Sequence, residues 1–135
     1  AVRREVVAVL DEWWAAAYLA GDYPRSSFAD PFPGFTPGAA AQARQDKLLM
    51  TNRDVSEDID SVIALSQKVK LDVLAVGEQA RSVTARFRLR FDTESGDTVE
   101  QVLVSGRVFM TRRQGKWRIF GYDVTKGEPS AGGNE

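Results

Sequence analysis

Residues 82–93, Ser82-Val-Thr-Ala-Arg-Phe-Arg-Leu-Arg-Phe-Asp-Thr93, decide the fold class. Val83, Ala85, Phe87, Leu89 and Phe91 alternate with Thr84, Arg86, Arg88 and Arg90. A period of two with one apolar and one charged side is a half-buried antiparallel strand, dry on one face and wet on the other. Runs of the same kind flank it, and strands are expected over 61–76, 98–112 and 116–124. Their connections, Gly77 to Ala80, Ser95-Gly96-Asp97 and Gln114-Gly115, are short and carry glycine. Links of this type make hairpins, so the four strands should form an antiparallel meander. Strands this long twist and bend, and Gly106 and Gly121 mark places for a bend or bulge.

Ahead of the strands the period changes. From Arg4 to Ala20, Val6, Val9, Leu10, Trp13, Trp14, Ala17 and Tyr18 share one broad arc of a 3.6-residue wheel, with Arg4, Glu5, Asp11 and Glu12 opposite. This is an amphipathic helix, capped by Gly21, and two Trp and a Tyr place its arc against the sheet. Residues 22–37 carry Pro24, Pro31, Pro33 and Pro37, which exclude a regular helix, while Phe28, Phe32 and Phe35 require a dry environment. Thr36-Pro37 reads as N-cap and first position of an Ala-rich rim helix running to about Met50. Asp54 to Asp60 is an acidic, solvated junction without the ligand order of a calcium loop.

The expected architecture is therefore α+β: N-terminal helices packed on a curved four-stranded antiparallel sheet, a cone with an open end. One domain is expected over 1–125, with a disordered tail over 126–135. Composition, at 43% hydrophobic and 27% charged, is globular, and a net charge of -1 steers the chain to neither nucleic acid nor anionic lipid. There are 0 Cys and 0 His. These absences exclude thiolate nucleophiles, Cys/His zinc sites and Ser-His or Cys-His pairs. Proton transfer near neutral pH would fall to a carboxylate, Tyr or Lys with a shifted pKa. No metal and no cofactor is expected.

Helices followed by long strands in hairpins, closing on Gly115-Lys116-Trp117-Arg118-Ile119, resemble the nuclear transport factor 2-like, or cystatin-like, superfamily. Within it the chain is most similar to the extracytoplasmic domains of actinobacterial mammalian-cell-entry-associated membrane proteins, whose last strand carries a Gly-x-Trp-x-Val/Ile pattern. The resemblance covers about Arg3 to Val124. It implies a cone-shaped fold and an exported domain, tethered to a membrane by a segment outside this chain, although a cytoplasmic setting stays open. The superfamily contains isomerases, cyclases and non-catalytic accessory domains, so fold alone does not assign a reaction.

Two sets of residues carry the functional expectations. Asp123 shares the core face with Trp117, Ile119 and Gly121 if the last strand alternates without interruption. A carboxylate there could act as an acid or base opposite Tyr18, with Trp14, Tyr18, Trp117 and Asp123 lining a pocket for a small apolar ligand. The alternative is a bulge at Gly121 that turns Asp123 outward and leaves Tyr122 and Val124 inside, with Trp14 and Tyr18 as plain core. The second set is a basic outer face of Lys68, Lys70, Arg86, Arg88, Arg90, Arg107 and Arg118, suited to an anionic polymer, a lipid headgroup or an acidic partner, or else a solvated face paired with Asp72 and nearby acids. No ladder of aromatic rings accompanies it, so nucleic acid is not expected. The leading expectation is a non-catalytic accessory or interaction domain with a protein partner, homodimer included. The alternative is a small-molecule binder or isomerase/cyclase-type enzyme.

Overall fold

The computed structural model describes residues 2–19, 23 and 30–127. Helix α1 (Val2–Trp14) continues as a π-helical stretch over Ala15–Leu19. Short helices α2 (Pro37–Gln45) and α3 (Lys47–Met50) follow. The strands are β1 (Ser61–Val76), β2 (Gln79–Ser95), β3 (Thr98–Arg113) and β4 (Lys116–Gly127), in one antiparallel sheet of order β1-β2-β3-β4 that does not close. The chain is α+β, with an N-terminal helix and a four-stranded antiparallel sheet.

The alternation in β2 works as its sequence dictates. Val83, Ala85, Phe87, Leu89 and Phe91 are all buried, and the intervening residues lie on the other face. Against them α1 places Val6, Leu10, Trp13 and Trp14, and the π-helical stretch adds Ala17 and Tyr18. A π-helical stretch shifts the phase of the helix face, and both Ala17 and Tyr18 reach the core. The helix end is closed by side chains from elsewhere. Asn52 donates its backbone N–H to the Ala17 carbonyl at 3.0 Å and its side-chain amide to the Tyr18 carbonyl at 3.0 Å, which also accepts from the Tyr23 hydroxyl. Gly21, the expected cap, and Phe28 lie outside the described residues.

The expected single helix from Thr36 to Met50 is two. Thr36 caps α2 as its sequence suggests, accepting from the Ala39 N–H. At Asp46 the helix breaks, and that carboxylate accepts a 2.6 Å hydrogen bond from Tyr122 of β4. A short polar side chain drawn to a tertiary partner interrupts a helix whose apolar stripe is weak. Ala39, Ala43 and Met50 are buried and Leu48 is exposed.

β4 departs from simple alternation. Met110 pairs with Ile119 and Phe109 with Gly121, so Phe120 is an extra residue on β4. Close by, Gly106 has φ of 142°, and a Cβ there would sit 2.1 Å from the Asp123 carbonyl oxygen. Only glycine allows β3 and β4 to approach so closely at this point. β4 continues to Gly127, so Lys126 and Gly127, placed by the sequence reading in a tail, are strand residues. Positions 128–135 lie outside the described residues.

Trp13 is fully buried and makes edge contacts with Tyr18, Phe35 and Phe87, at centroid separations of 5.9, 5.6 and 5.5 Å. Its indole N–H donates to the Met50 carbonyl at 3.4 Å. It therefore joins α1, the proline-rich segment, α3 and β2. We expect Trp13→Ala to cost about 3–5 kcal/mol, in the range of buried aromatic truncations. Urea unfolding of parent and variant measures this, and a loss below about 1 kcal/mol would place α1 outside the core.

Candidate functional site

The inward-facing carboxylate expected from uninterrupted alternation is absent. Trp117 and Ile119 point inward, Phe120 occupies the bulge, and the inner face resumes at Tyr122 and Val124. One inserted residue reverses every later side chain. Asp123 thus lies on the outer face, with its side chain 66% exposed and its carboxylate 3.5 Å from Arg107. Tyr18 is on the inner face, fully buried. The two share no cavity, which corrects the expected pair. The bulge reading is the one observed, one residue earlier than Gly121.

The four expected pocket residues are likewise separated. Trp14 packs on Phe87 at 5.5 Å and Tyr18 on Phe91 at 5.8 Å, filling the space between α1 and the sheet. Trp117 is buried further along β4, with the Arg112 guanidinium 5.7 Å from its ring centroid. The Trp14 and Trp117 indole N–H groups have no hydrogen-bond partner among the described residues.

All seven expected basic residues fall on the outer sheet face, because directly opposed residues share a face. Lys70, Arg86, Arg107 and Asp123 form one row across the four strands, and Lys68 opposes Arg88 in the next. Arg90 opposes Ser66 and Leu103, and Arg118 opposes Thr111 near the last hairpin. Asp72 lies 3.5 Å from Arg86, so the face is partly neutralised by exposed pairs. Arg88 and Arg90 are half-buried and each is engaged in a further interaction. The accessible positive charge is carried by Lys68, Lys70, Arg86 and Arg107.

A different charged residue occupies the inner side. Lys126 is 8% exposed at its side chain and opposes Val104 on the inner face. Its ammonium donates to the Leu48 carbonyl at 3.3 Å, the Thr51 carbonyl at 2.9 Å and an Asp54 carboxylate oxygen at 2.5 Å. Burial lowers its pKa, and Asp54 opposes that shift. The Tyr18 ring lies 5.9 Å away. A cavity of about 410 Å³ borders it, lined by Leu48, Leu49, Val55, Val102 and Glu100 among others. The three protons of the ammonium match its three acceptors, so it is a strut tying β4 to the 48–54 segment. The signal was legible in part: Lys126 continues the alternation set by Tyr122 and Val124.

The inner phenols are equally committed. Tyr18 donates to the Leu49 carbonyl at 2.8 Å, and Tyr122 to Asp46 at 2.6 Å. Burial, foremost, and the nearby Asp54 charge push Tyr18 well above the ordinary tyrosine value. Burial and the hydrogen bond to Asp46 push Tyr122 up. Neither can serve as a base near neutral pH. Among the described residues no group of acidic side chains is placed to hold a metal. The chain matches no protein-family model, no curated protein and no solved structure.

Raised phenol pKa values have a direct consequence for stability. Both phenols are neutral in the folded state over a range where an unfolded tyrosine, with a pKa of about 10, ionises. Their contribution is complete below about pH 10 and is lost as pH rises toward the folded values. We expect absorbance titration at 295 nm to show Tyr18 and Tyr122 ionising together with unfolding. Tyr122→Phe should flatten the alkaline fall in stability, and an unchanged fall would remove Tyr122 from its cause.

Proposed function

We propose that the chain is a non-catalytic accessory or interaction domain, the extracytoplasmic part of a membrane-anchored bacterial protein of the nuclear transport factor 2-like kind. The observation that carries the non-catalytic part is the filling of the helix–sheet interior by Trp13, Trp14, Tyr18, Phe35, Phe87 and Phe91. Alongside it, the ionisable groups with shifted pKa values on that side end on structural acceptors: Tyr18 on Leu49, Tyr122 on Asp46 and Lys126 on Leu48, Thr51 and Asp54. A general acid or base needs a pKa near the working pH beside a space for substrate, and the shifts of Tyr18 and Tyr122 lead away from that range. The order of helix and strands supports the superfamily reading, and the exported setting rests on the resemblance of the last strand.

The interaction surface we assign is the outer sheet face, where Lys68, Lys70, Arg86 and Arg107 lie on adjacent strands. Its charge favours an acidic protein segment. The test has two arms. Added poly-L-glutamate should bind with an affinity that falls as salt rises, and replacing these four residues with Gln should abolish that binding while changing stability little. An apolar fluorescent probe such as anilinonaphthalene sulfonate should find no saturable site in the folded domain. One-to-one probe binding to the folded parent domain, removed by the conservative Trp14→Phe, would support the small-molecule alternative and sink this reading.

A further inference from the structure

The two edges of the sheet are not equivalent. β4 is covered at its middle: Thr36 N–H donates to the Ile119 carbonyl and Ile119 N–H to the Gly34 carbonyl, both at 2.8 Å. β1 pairs with β2 on one side, and along its other side the described residues supply one hydrogen bond, from the Arg3 guanidinium to the Val69 carbonyl at 3.1 Å. This edge is 16 residues long and leaves Val73, Leu74 and Val76 at 47%, 63% and 61% exposure. A long edge of this composition is a template for another strand.

We propose that β1 pairs with β1 of a second copy, antiparallel about a two-fold axis at Leu71, to make one continuous eight-stranded sheet. In an antiparallel edge strand alternate residues turn both backbone groups to the free side. Val69, whose carbonyl is met from outside by Arg3, is one of these, and so are Leu71 and Val73. Regular strand runs from Ser66 to Leu74, between the register shifts at Ala64/Ser66 and Leu74/Ala75. Within it the charges select the register. An axis at Val69 sets Lys68 against Lys70 twice; an axis at Lys70 or Asp72 sets that residue against its own copy. An axis at Leu71 sets Lys70 against Asp72 twice, with Val69 against Val73 and Leu71 against Leu71. Opposed charges and β-branched pairs stabilise cross-strand contacts, and like charges oppose them. A two-fold axis doubles each favourable pair. With a net charge of -1 per chain, long-range repulsion between copies is small. Arg3 is the group that must yield, releasing the Val69 carbonyl to the Val73 N–H of the second copy.

The proposal stands on the β1 edge and shares Lys70 with the outer-face reading; the cysteine variants, which keep Lys70, separate the two. Sedimentation equilibrium should show a concentration-dependent dimer. Lys70→Glu or Asp72→Lys alone should weaken it about tenfold, since each places like charges opposite at both ends. Lys70→Glu combined with Asp72→Lys should restore it. The chain has 0 Cys, so single cysteines report the register without background. Leu71→Cys should form a disulfide-linked dimer on mild oxidation, because directly opposed hydrogen-bonded residues lie about 5.5 Å apart at Cα, within disulfide reach. Val69→Cys and Val73→Cys should link when mixed and not alone. A chain that is monomeric at every soluble concentration, with the edge left to a foreign strand, overturns the proposal. So does a dimer indifferent to both charge variants, or one in which Leu71→Cys does not link.

Discussion

The structure depends on the seating of Trp13 against the dry face of β2. A single indole meets Phe87 on the sheet, Phe35 from the proline-rich segment, Tyr18 one turn along its own helix and the Met50 carbonyl of α3. These contacts join four separate pieces of the chain. Burial of aromatic surface of this size is among the largest favourable terms available to a small domain. It also fixes where α1 crosses the sheet, which sets what remains of the interior. Trp14 on Phe87 and Tyr18 on Phe91 extend the same packing along β2.

A second constraint acts from the opposite side of the sheet. Gly106 brings β3 within a distance of β4 that a Cβ would forbid, and Phe120 adds one residue to β4 just beyond. The bulge sends Asp123 outward to Arg107 and Tyr122 inward to Asp46. It thereby exchanges a costly buried carboxylate for a phenol whose hydroxyl has an acceptor. The same phase brings Lys126 inward, where it is tolerated because three acceptors surround its ammonium. An unpaired cation at that depth would be strongly unfavourable. These inner polar bonds hold α3 and the 48–54 segment against the end of the sheet.

The outer surface divides by chemistry. Its face is basic and partly self-paired, with rims of exposed apolar residues at Val99, Phe120 and along β1. Among the described residues its two edges differ: one is met by the 34–36 segment and the other by the Arg3 guanidinium.

The sequence by itself determined the class of the fold and the composition of its core. The period-two pattern of residues 83–91 and the period-3.6 arc of residues 6–18 each specify one buried face, and burying both against each other leaves few arrangements. The strand ends of β1 and the glycine-marked hairpins followed from local turn chemistry, as did the Thr36 cap. The absence of His and Cys excluded whole classes of chemistry before any coordinate was known. The tertiary structure decided the phase of β4, and with it the candidate site. A strand periodicity of two carries no memory of an inserted residue, so one bulge inverts every later side chain while local pattern is unchanged. Of the two phases the sequence left open for Asp123 the folded chain takes the outward one, and the same phase turns Lys126 inward. The break at Asp46 and the burial of Lys126 likewise depend on partners dozens of residues distant, Tyr122 in one case and the 48–54 carbonyls in the other, and such partners become neighbours only when the chain is folded.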